Sequence, residues 1–306
     1  MSEVHQPHVA ASGRFRKETL ADRFLANGGV ASIAVFFIAV CLLFALSTNA
    51  FLSTPNLLNV IRQSAPLLIV AASMTFVITT GGIDLSVGSV LALVSALSAA
   101  LLQMGVPWPA VIVAMLALGC LIGAVQGFFI AYEGIPAFIV TLAGLSVIRG
   151  VALLITGGYS IPIAPDSPFV VLGRGWLAGV PIPAWIALAV LIAAFVVFNS
   201  TRFGRYVTGI GANAEAVRRA GVDTRRIVLG VYMLSSAAAA LAGIVLAGRE
   251  TRTLPVAVYN MISFDQLSWG PLAAAALIVT APVLLLTVMA QRQIVAGLTA
   301  GAVKGG

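Results

Sequence analysis

The feature that most constrains this chain is a series of apolar runs, each long enough to cross a lipid bilayer. A membrane-spanning helix needs roughly 20 mostly apolar residues. Charged residues make up only 9% of the 306 residues, against about 25% in a soluble domain. The alternation of apolar and polar residues that marks outer-membrane barrels is absent. The sequence therefore predicts an all-α, polytopic transmembrane helical bundle of about eight spans. The predicted spans cover residues 28–47, 64–80, 84–103, 108–131, 136–156, 181–199, 228–247 and 271–290.

The distribution of Lys and Arg predicts how the spans are oriented. The formal net charge is +7, and in a soluble protein such a surplus would suggest a nucleic-acid partner. In a membrane protein it reflects the excess of basic residues in cytoplasmic loops. With the N-terminus inside, most basic residues fall in cytoplasmic segments, so we expect both termini inside, contact with membrane lipid and no nucleic-acid partner. Outer segments then hold Arg62, Arg174, Arg249 and Arg252, and Arg149 falls inside a span.

Residues suited to catalysis or metal binding do not cluster in the sequence. Cys41 and Cys120 lie inside apolar runs, where buried thiols act as small hydrophobic groups. His5 and His8 lie in a polar N-terminal tail. An intramembrane enzyme would need a nucleophile with its base, or a set of metal ligands, within the spans. We therefore predict no catalytic residue, no metal site and no cofactor.

The fourth predicted span contains three glycines at four-residue spacing, Gly119, Gly123 and Gly127. Small residues at this spacing lie on one face of a helix and let two helix backbones approach closely within lipid. The third span has a similar row of Ser, Ala and Gly residues. Both patterns predict a closely packed bundle, and neither identifies a solute.

The inner segment 200–227 is the most charged loop between spans and contains the sequence NAEAVRRAGVD. Asn213 suits a helix N-cap, Glu215 suits the first turn, and Gly221 suits the end of a helix. Two interpretations stay open from this pattern: a short cytoplasmic helix on which a soluble subunit docks, or an ordinary positively charged inner loop. The outer segment 157–180 is rich in Gly and Pro and is long enough to contact an external partner.

The stretch TTGGIDLSVGS places two glycines and an acid between the second and third predicted spans. Gly81 and Gly82 permit tight backbone approach. Asp84 precedes the next helix, where its carboxylate can accept hydrogen bonds from the N–H groups two and three residues further on. Because broken spans also form transport sites, Asp84 can cap a helix, shape a solute pathway, or do both. We predict Arg149 as its ionic partner within the spans.

Residues 81–89, GGIDLSVGS, resemble the most distinctive motif of the ribose/xylose-type permeases of ATP-binding cassette (ABC) sugar importers. Segments 56–80, 134–158 and 203–247 resemble the same family in the same order. The resemblance covers residues 28–248, most of the chain. A nine-residue motif with three ordered segments is more specific than a lone short motif.

The resemblance implies a permease subunit that moves a monosaccharide, a pentose or a hexose, across the cytoplasmic (inner) membrane. In this family two permease subunits, identical or different, form the pathway. Cytoplasmic ABC ATPase subunits dock on the inner loops, and a periplasmic or surface sugar-binding protein delivers the sugar. The chain has no G-x-x-x-x-G-K-[ST] motif, which agrees with ATP hydrolysis on a separate partner subunit.

The resemblance also implies roles for individual residues. The pathway and helix-break motif falls on Gly81, Gly82, Asp84, Ser86 and Gly88. The ATPase-docking loop falls on Glu215, Ala216, Arg218, Arg219 and Gly221.

The resemblance to ribose-type permeases stops after Gly248. Residues 253–305 instead resemble the C-terminal end of maltose-type ABC permeases, most closely in the sequence GLTAGAVKG. We therefore expect a chimera of three parts: a cytoplasmic basic tail over residues 1–25, a ribose-type region over 26–248, and a maltose-type final span and tail over 249–306. A natural fusion, a remnant of a deletion between neighbouring genes and an assembly error are open explanations.

Two alternative functions stay open beside the monosaccharide permease. The chain could be a permease for another small polar solute, such as an amino acid. It could also be a non-functional fusion of two sugar permease genes that inserts into the membrane without transporting a solute.

Overall fold

A computed structural model describes residues 28–159, 161–248, 262–263 and 266–267 of the chain. Helices dominate these residues, and the strands are two antiparallel pairs of two residues each. The helices are α1 Gly28–Ser47, α2 Thr54–Thr79, α3 Val87–Gln103, α4 Trp108–Ala131, α5 Ala137–Thr156, α6 Val171–Arg174, α7 Ile182–Ser200, α8 Arg202–Arg219 and α9 Thr224–Ala247, with a 3₁₀ turn at Pro168–Val170 before α6. The strands are β1 Trp176–Leu177 paired with β2 Val180–Pro181, and β3 Ile262–Ser263 paired with β4 Gln266–Leu267.

The helices confirm the predicted class, an all-α polytopic membrane bundle. Among the described residues, five helices are long and apolar enough to cross a membrane: α2, α4, α5, α7 and α9. Helix α3 and the segment Val35–Ser47 of α1 are apolar but shorter. The eighth predicted span, residues 271–290, lies outside the described residues. The total of eight spans and the cytoplasmic position of both termini stay predictions.

The second predicted span was placed too late in the sequence. Residues 64–80 were expected, and α2 instead begins ten residues earlier, at Thr54. A hydropathy criterion leaves out residues 54–63, which include several polar residues, although polar side chains fit at a helix end near the membrane–water interface. Among them, the Arg62 guanidinium lies over the Trp176 ring, 4.6 Å from its centre.

The contacts divide the chain into two compact units. One is Ser53–Thr251, and the other combines Met1–Leu52 with Arg252–Gly306. Helices α2 to α9 belong to the first unit, and α1 belongs to the second. The three-part division predicted from the sequence, with boundaries at residues 25 and 248, stays a prediction.

Helix α9 is the central helix of the Ser53–Thr251 unit. It packs against α2, α3 and α4. Of the 18 residues that form its most apolar stretch, 56% are buried, compared with 11% for the same stretch of α7. Its buried side chains are mostly small, which lets neighbouring backbones come close. The fully or almost fully buried members are Val231, Tyr232, Ser235, Ser236, Ala239, Ala240, Ala242, Ile244 and Val245.

The three glycines of α4 lie directly against α9. A Cβ added at Gly119 would stand 2.5 Å from the Cβ of Ala240, and one at Gly127 would stand 2.9 Å from the Cα of Leu229. A Cβ at Gly123 would collide with the backbone of Tyr232 and Met233. Because these three glycines have no side chain, the backbones of α4 and α9 can lie in direct contact, as close packing in lipid requires.

We expect Gly123→Ala to destabilise the protein, because the added methyl group meets backbone atoms that cannot rotate aside. Overpacking of an interior costs about 1–3 kcal/mol, which should lower the midpoint of thermal unfolding in detergent. Gly150→Ala is the matched control. It replaces a helical glycine of α5 whose added Cβ meets nothing within 4 Å, and Ala is the stronger helix former. Equal stability of the two variants would contradict this role of Gly123.

Candidate functional site

The chain breaks between α2 and α3, at residues 80–86, hereafter the break. Helix α2 ends at Thr79, where Gly81 takes a left-handed φ of +79° that suits glycine. The N–H of Gly82 still donates to the carbonyl of Val77, at 3.0 Å. A Cβ on Gly82 would stand 2.5 Å from the hydroxyl oxygen of Tyr232. One glycine therefore permits the turn, and the other permits close approach to α9.

Asp84 lies in the break and is 2% exposed. Its Oδ1 accepts hydrogen bonds from the backbone N–H of Ser86, at 2.9 Å, and from the Ser86 hydroxyl, at 2.7 Å. Its Oδ2 accepts from the hydroxyl of Ser235 on α9, at 2.8 Å. The predicted bond from residue 86 is thus present. Within the described residues no bond joins Asp84 to the N–H of Val87. Ser86 is the N-cap residue of α3, so Asp84 stands two residues before the N-cap position.

The predicted ion pair between Asp84 and Arg149 is wrong. Arg149 lies on an exposed face of α5, whereas Asp84 is buried among hydroxyl groups. An acid at the centre of a span costs on the order of 2.5–3.5 kcal/mol on insertion scales. Here three hydrogen-bond donors compensate that cost without a cation, since hydrogen bonds to a carboxylate stabilise its charged form.

Polar groups from three helices surround the break. The Ser86 hydroxyl lies 3.1 Å from Oε1 of Gln126 on α4. The Tyr232 hydroxyl on α9 donates to the carbonyl of Ile83, at 3.4 Å. The Thr141 hydroxyl on α5 donates to the carbonyl of Ala137, at 2.8 Å, and also lies 3.3 Å from the carbonyl of Ile83. These contacts hold the break against α4, α5 and α9, and the bond from Tyr232 satisfies a carbonyl that no regular helix satisfies there.

This polar cluster lies deep within the bundle. Ser235, which binds Asp84, is the twelfth residue of the 24-residue helix α9, so it stands near the middle of that span. Non-helical backbone at such depth is tolerated where it is buried in protein or lines a water-filled cavity. The complete burial of Asp84 and Ser86 matches the first case.

The structure brings together four of the five predicted break residues: Gly81, Gly82, Asp84 and Ser86. Gly88 instead lies on an exposed side of α3. Sequence reasoning missed Gln126, Thr141, Tyr232 and Ser235. A polar amide inside an apolar run signals Gln126, but single hydroxyl groups at Thr141 and Ser235 are common in spans and give no such signal.

The predicted short helix over residues 213–221, hereafter the docking segment, is also present. Helix α8 is interrupted at Asn213, whose backbone is extended, and Oδ1 of Asn213 accepts from the N–H of Ala216, at 3.0 Å. Gly221 follows the last turn with a φ of +84°. Glu215 pairs with Arg218 and Arg219, at 2.5 and 3.0 Å, and all three side chains are largely exposed.

The docking segment and the break are neighbours. The backbone of Gly211, just before the docking segment, packs against the carbonyl of Thr79 at the end of α2. A cavity of about 300 Å³ lies beside this contact. Its lining includes Gly81 and Gly82 of the break, Ala214 of the docking segment, and Arg225 and Tyr232 of α9.

Comparison with known proteins places the chain in a family of transport permeases. The family model described as branched-chain amino acid transport system / permease component matches residues 56–300. The chain therefore belongs to this family of multi-pass inner-membrane permeases, which are transport subunits and not enzymes. No solved structure matches the chain.

Curated relatives resemble the chain over most of its length. The ribose import permease protein of Haemophilus influenzae is 36% identical over 227 residues, which cover 72% of this chain and 70% of the relative. The ribose import permease protein of Escherichia coli K12 is 37% identical over 229 residues, 74% and 71% of the two chains. The xylose transport system permease protein of the same strain is 31% identical over 274 residues, 69% and 70% of the two chains.

We expect Ser235→Ala to destabilise the protein, because Asp84 Oδ2 loses its donor while it stays buried. Losing a hydrogen bond to a charged group costs about 1.5–3 kcal/mol, which a lower thermal unfolding midpoint in detergent would reveal. Ser236→Ala is the matched control, since Ser236 is equally buried and its hydroxyl has no partner among the described residues. If both variants lose the same stability, the bond to Asp84 is not the cause.

Proposed function

We propose that this chain is the permease subunit of an ABC importer that moves a monosaccharide, a pentose or a hexose, into the cytoplasm. The observation that supports this proposal best is the GGIDLSVGS segment. It forms a buried polar break inside a membrane bundle, and the relatives that share most of the chain are named for ribose and xylose. The family description names branched-chain amino acids, which keeps an amino-acid solute as the second candidate.

Three partners follow from this proposal. ABC ATPase subunits bind the cytoplasmic side, a sugar-binding protein binds the outer side, and a second permease subunit completes the pathway. The outer segment 157–180 supports the second of these, since Trp176 and Leu177, the two residues of strand β1, are about half exposed. Exposed aromatic residues are enriched in protein interfaces.

The docking segment is the ATPase site in this proposal. Four of its predicted residues, Glu215, Ala216, Arg218 and Arg219, lie on one short capped helix with exposed charges, and the fifth, Gly221, follows its last turn. Surface ion pairs contribute little stability, so the Glu215 pairs leave both arginines available to a partner. The close approach of Gly211 to the end of α2 connects this site to the break.

The experiment that tests this function measures uptake of radiolabelled ribose and xylose by cells that express the chain with its neighbouring ATPase and binding-protein genes. We expect uptake of at least one sugar, and we expect Asp84→Ala to abolish it. Uptake of leucine without either sugar would favour the amino-acid candidate. An absence of all uptake, at normal membrane levels of the chain, would favour a non-functional fusion.

The same system tests the docking segment. In the double variant Arg218→Glu and Arg219→Glu, we expect the ATPase subunits to lose both co-purification and stimulation by the sugar-loaded binding protein. The control is Arg202→Glu, which reverses an exposed charge at the start of α8, outside the docking segment. Equal loss in the control would show that net charge, and not this segment, governs docking.

We further propose that residues 253–305 come from a second, maltose-type permease. The support is the sequence GLTAGAVKG near the C-terminus. The family match through residue 300 is the observation against it. A single long DNA read across codons 240–260 tests the junction. A frame that continues with a ribose-type tail would overturn this proposal and leave the permease class unchanged.

A further inference from the structure

Helix α5 has two exposed faces of different chemistry. It packs against α3 and α4 through Thr141, Ile148 and Ala152. One exposed face holds Phe138, Leu142, Ser146, Arg149 and Leu153. The other holds Ile139, Ala143, Val147, Gly150 and Leu154. All ten residues are exposed except Gly150, which is half-buried. These spacings of three and four residues place each set on one side of the helix.

Arg149 makes the first of these faces unsuited to lipid. It is the thirteenth residue of a 20-residue span, and within the described residues it forms no ion pair or hydrogen bond. Charged side chains within spans almost always face the bundle interior or a water-filled cavity, and they mark solute pathways. The second face has no such group, and its exposed side chains are all apolar.

We propose that the face carrying Ser146 and Arg149, hereafter the polar face, lines the solute pathway, and that the Arg149 guanidinium contacts the solute there. Since α5 lies at the edge of its unit, the opposite wall of the pathway comes from the second permease subunit. This inference rests on the proposed function for its partner and its solute. The exposed faces of α5 and the position of Arg149 are independent of that function.

The chemistry of the polar face fits a solute with several oxygen atoms close together. A guanidinium offers five N–H donors in a plane and no acceptor. The Ser146 hydroxyl donates to the carbonyl of Leu142, at 3.2 Å, and its oxygen can still accept. Adjacent hydroxyl groups of a monosaccharide both donate and accept, so the two side chains together match this class of solute.

Thiol labelling tests whether water reaches the polar face. The starting protein has Cys41 and Cys120, the two native cysteines, replaced by Ala. Ser146→Cys and Arg149→Cys are then made singly and treated, in broken membranes, with a charged, membrane-impermeant methanethiosulfonate. Because the thiolate is the reacting form and requires water, we expect both to react at least about tenfold faster than a cysteine in lipid.

Val147→Cys is the matched control for this labelling. Val147 is 66% exposed and lies between Ser146 and Arg149 in sequence, so its membrane depth is the same while its side chain points to the second face. We expect this control to react slowly. If Arg149→Cys reacts as slowly as Val147→Cys, lipid or protein covers the polar face and the proposal is overturned.

Uptake kinetics test the contact between Arg149 and the solute. We expect Arg149→Met to raise KM for the transported sugar about tenfold, as the loss of a charge-assisted hydrogen bond does. Arg149→Lys should recover part of that loss, because the charge remains and the planar donors do not. An unchanged KM in Arg149→Met would overturn the solute contact. The labelling does not depend on transport. If the wild-type chain takes up no solute, the proposed function is contradicted, and the labelling still tests whether water reaches the polar face.

Discussion

The hydrogen bonds of Asp84 are the interaction on which the rest of the bundle depends. One carboxylate joins the start of α3, through Ser86, to the middle of α9, through Ser235. Without these donors a buried acid would be costly within a span, and the break could not stay at that depth.

Helix α9, which supplies Ser235 to this acid, is also the helix against which α2, α3 and α4 all pack. Its small residues let α4 approach through Gly119, Gly123 and Gly127, and its Tyr232 hydroxyl reaches the carbonyl of Ile83. Close packing and the polar cluster therefore depend on each other. A side chain at Gly123 would push α4 away from α9, and with it Gln126, which lies next to Ser86.

Local features of the site could be predicted from the sequence, and distant ones could not. The Ser86 bond to Asp84 and the Asn213 cap involve residues two and three positions apart, so short-range rules suffice. Ser235 lies 151 positions from Asp84, and nothing in its own segment distinguishes it from Ser236. The predicted pairing with Arg149 was wrong because a buried carboxylate can be stabilised by any hydrogen-bond donor, and here the hydroxyl groups of Ser86 and Ser235 are the donors. Within the described residues the apolar helices followed from hydropathy, except where polar residues open α2.

The contact between Gly211 and Thr79 joins α8, two residues before the docking segment, to the end of α2, where the break begins. Packed interiors transmit displacement because they contain little free space. Behind that contact, Val207 of α8 is fully buried with Phe76 of α2 and Tyr232 of α9. A force on the docking segment would therefore act on the end of α2 and on α9 together. Since the break is joined to both helices, the response that costs the least free energy is a change in the backbone dihedral angles of Gly81 and Gly82, because glycine has the widest conformational freedom.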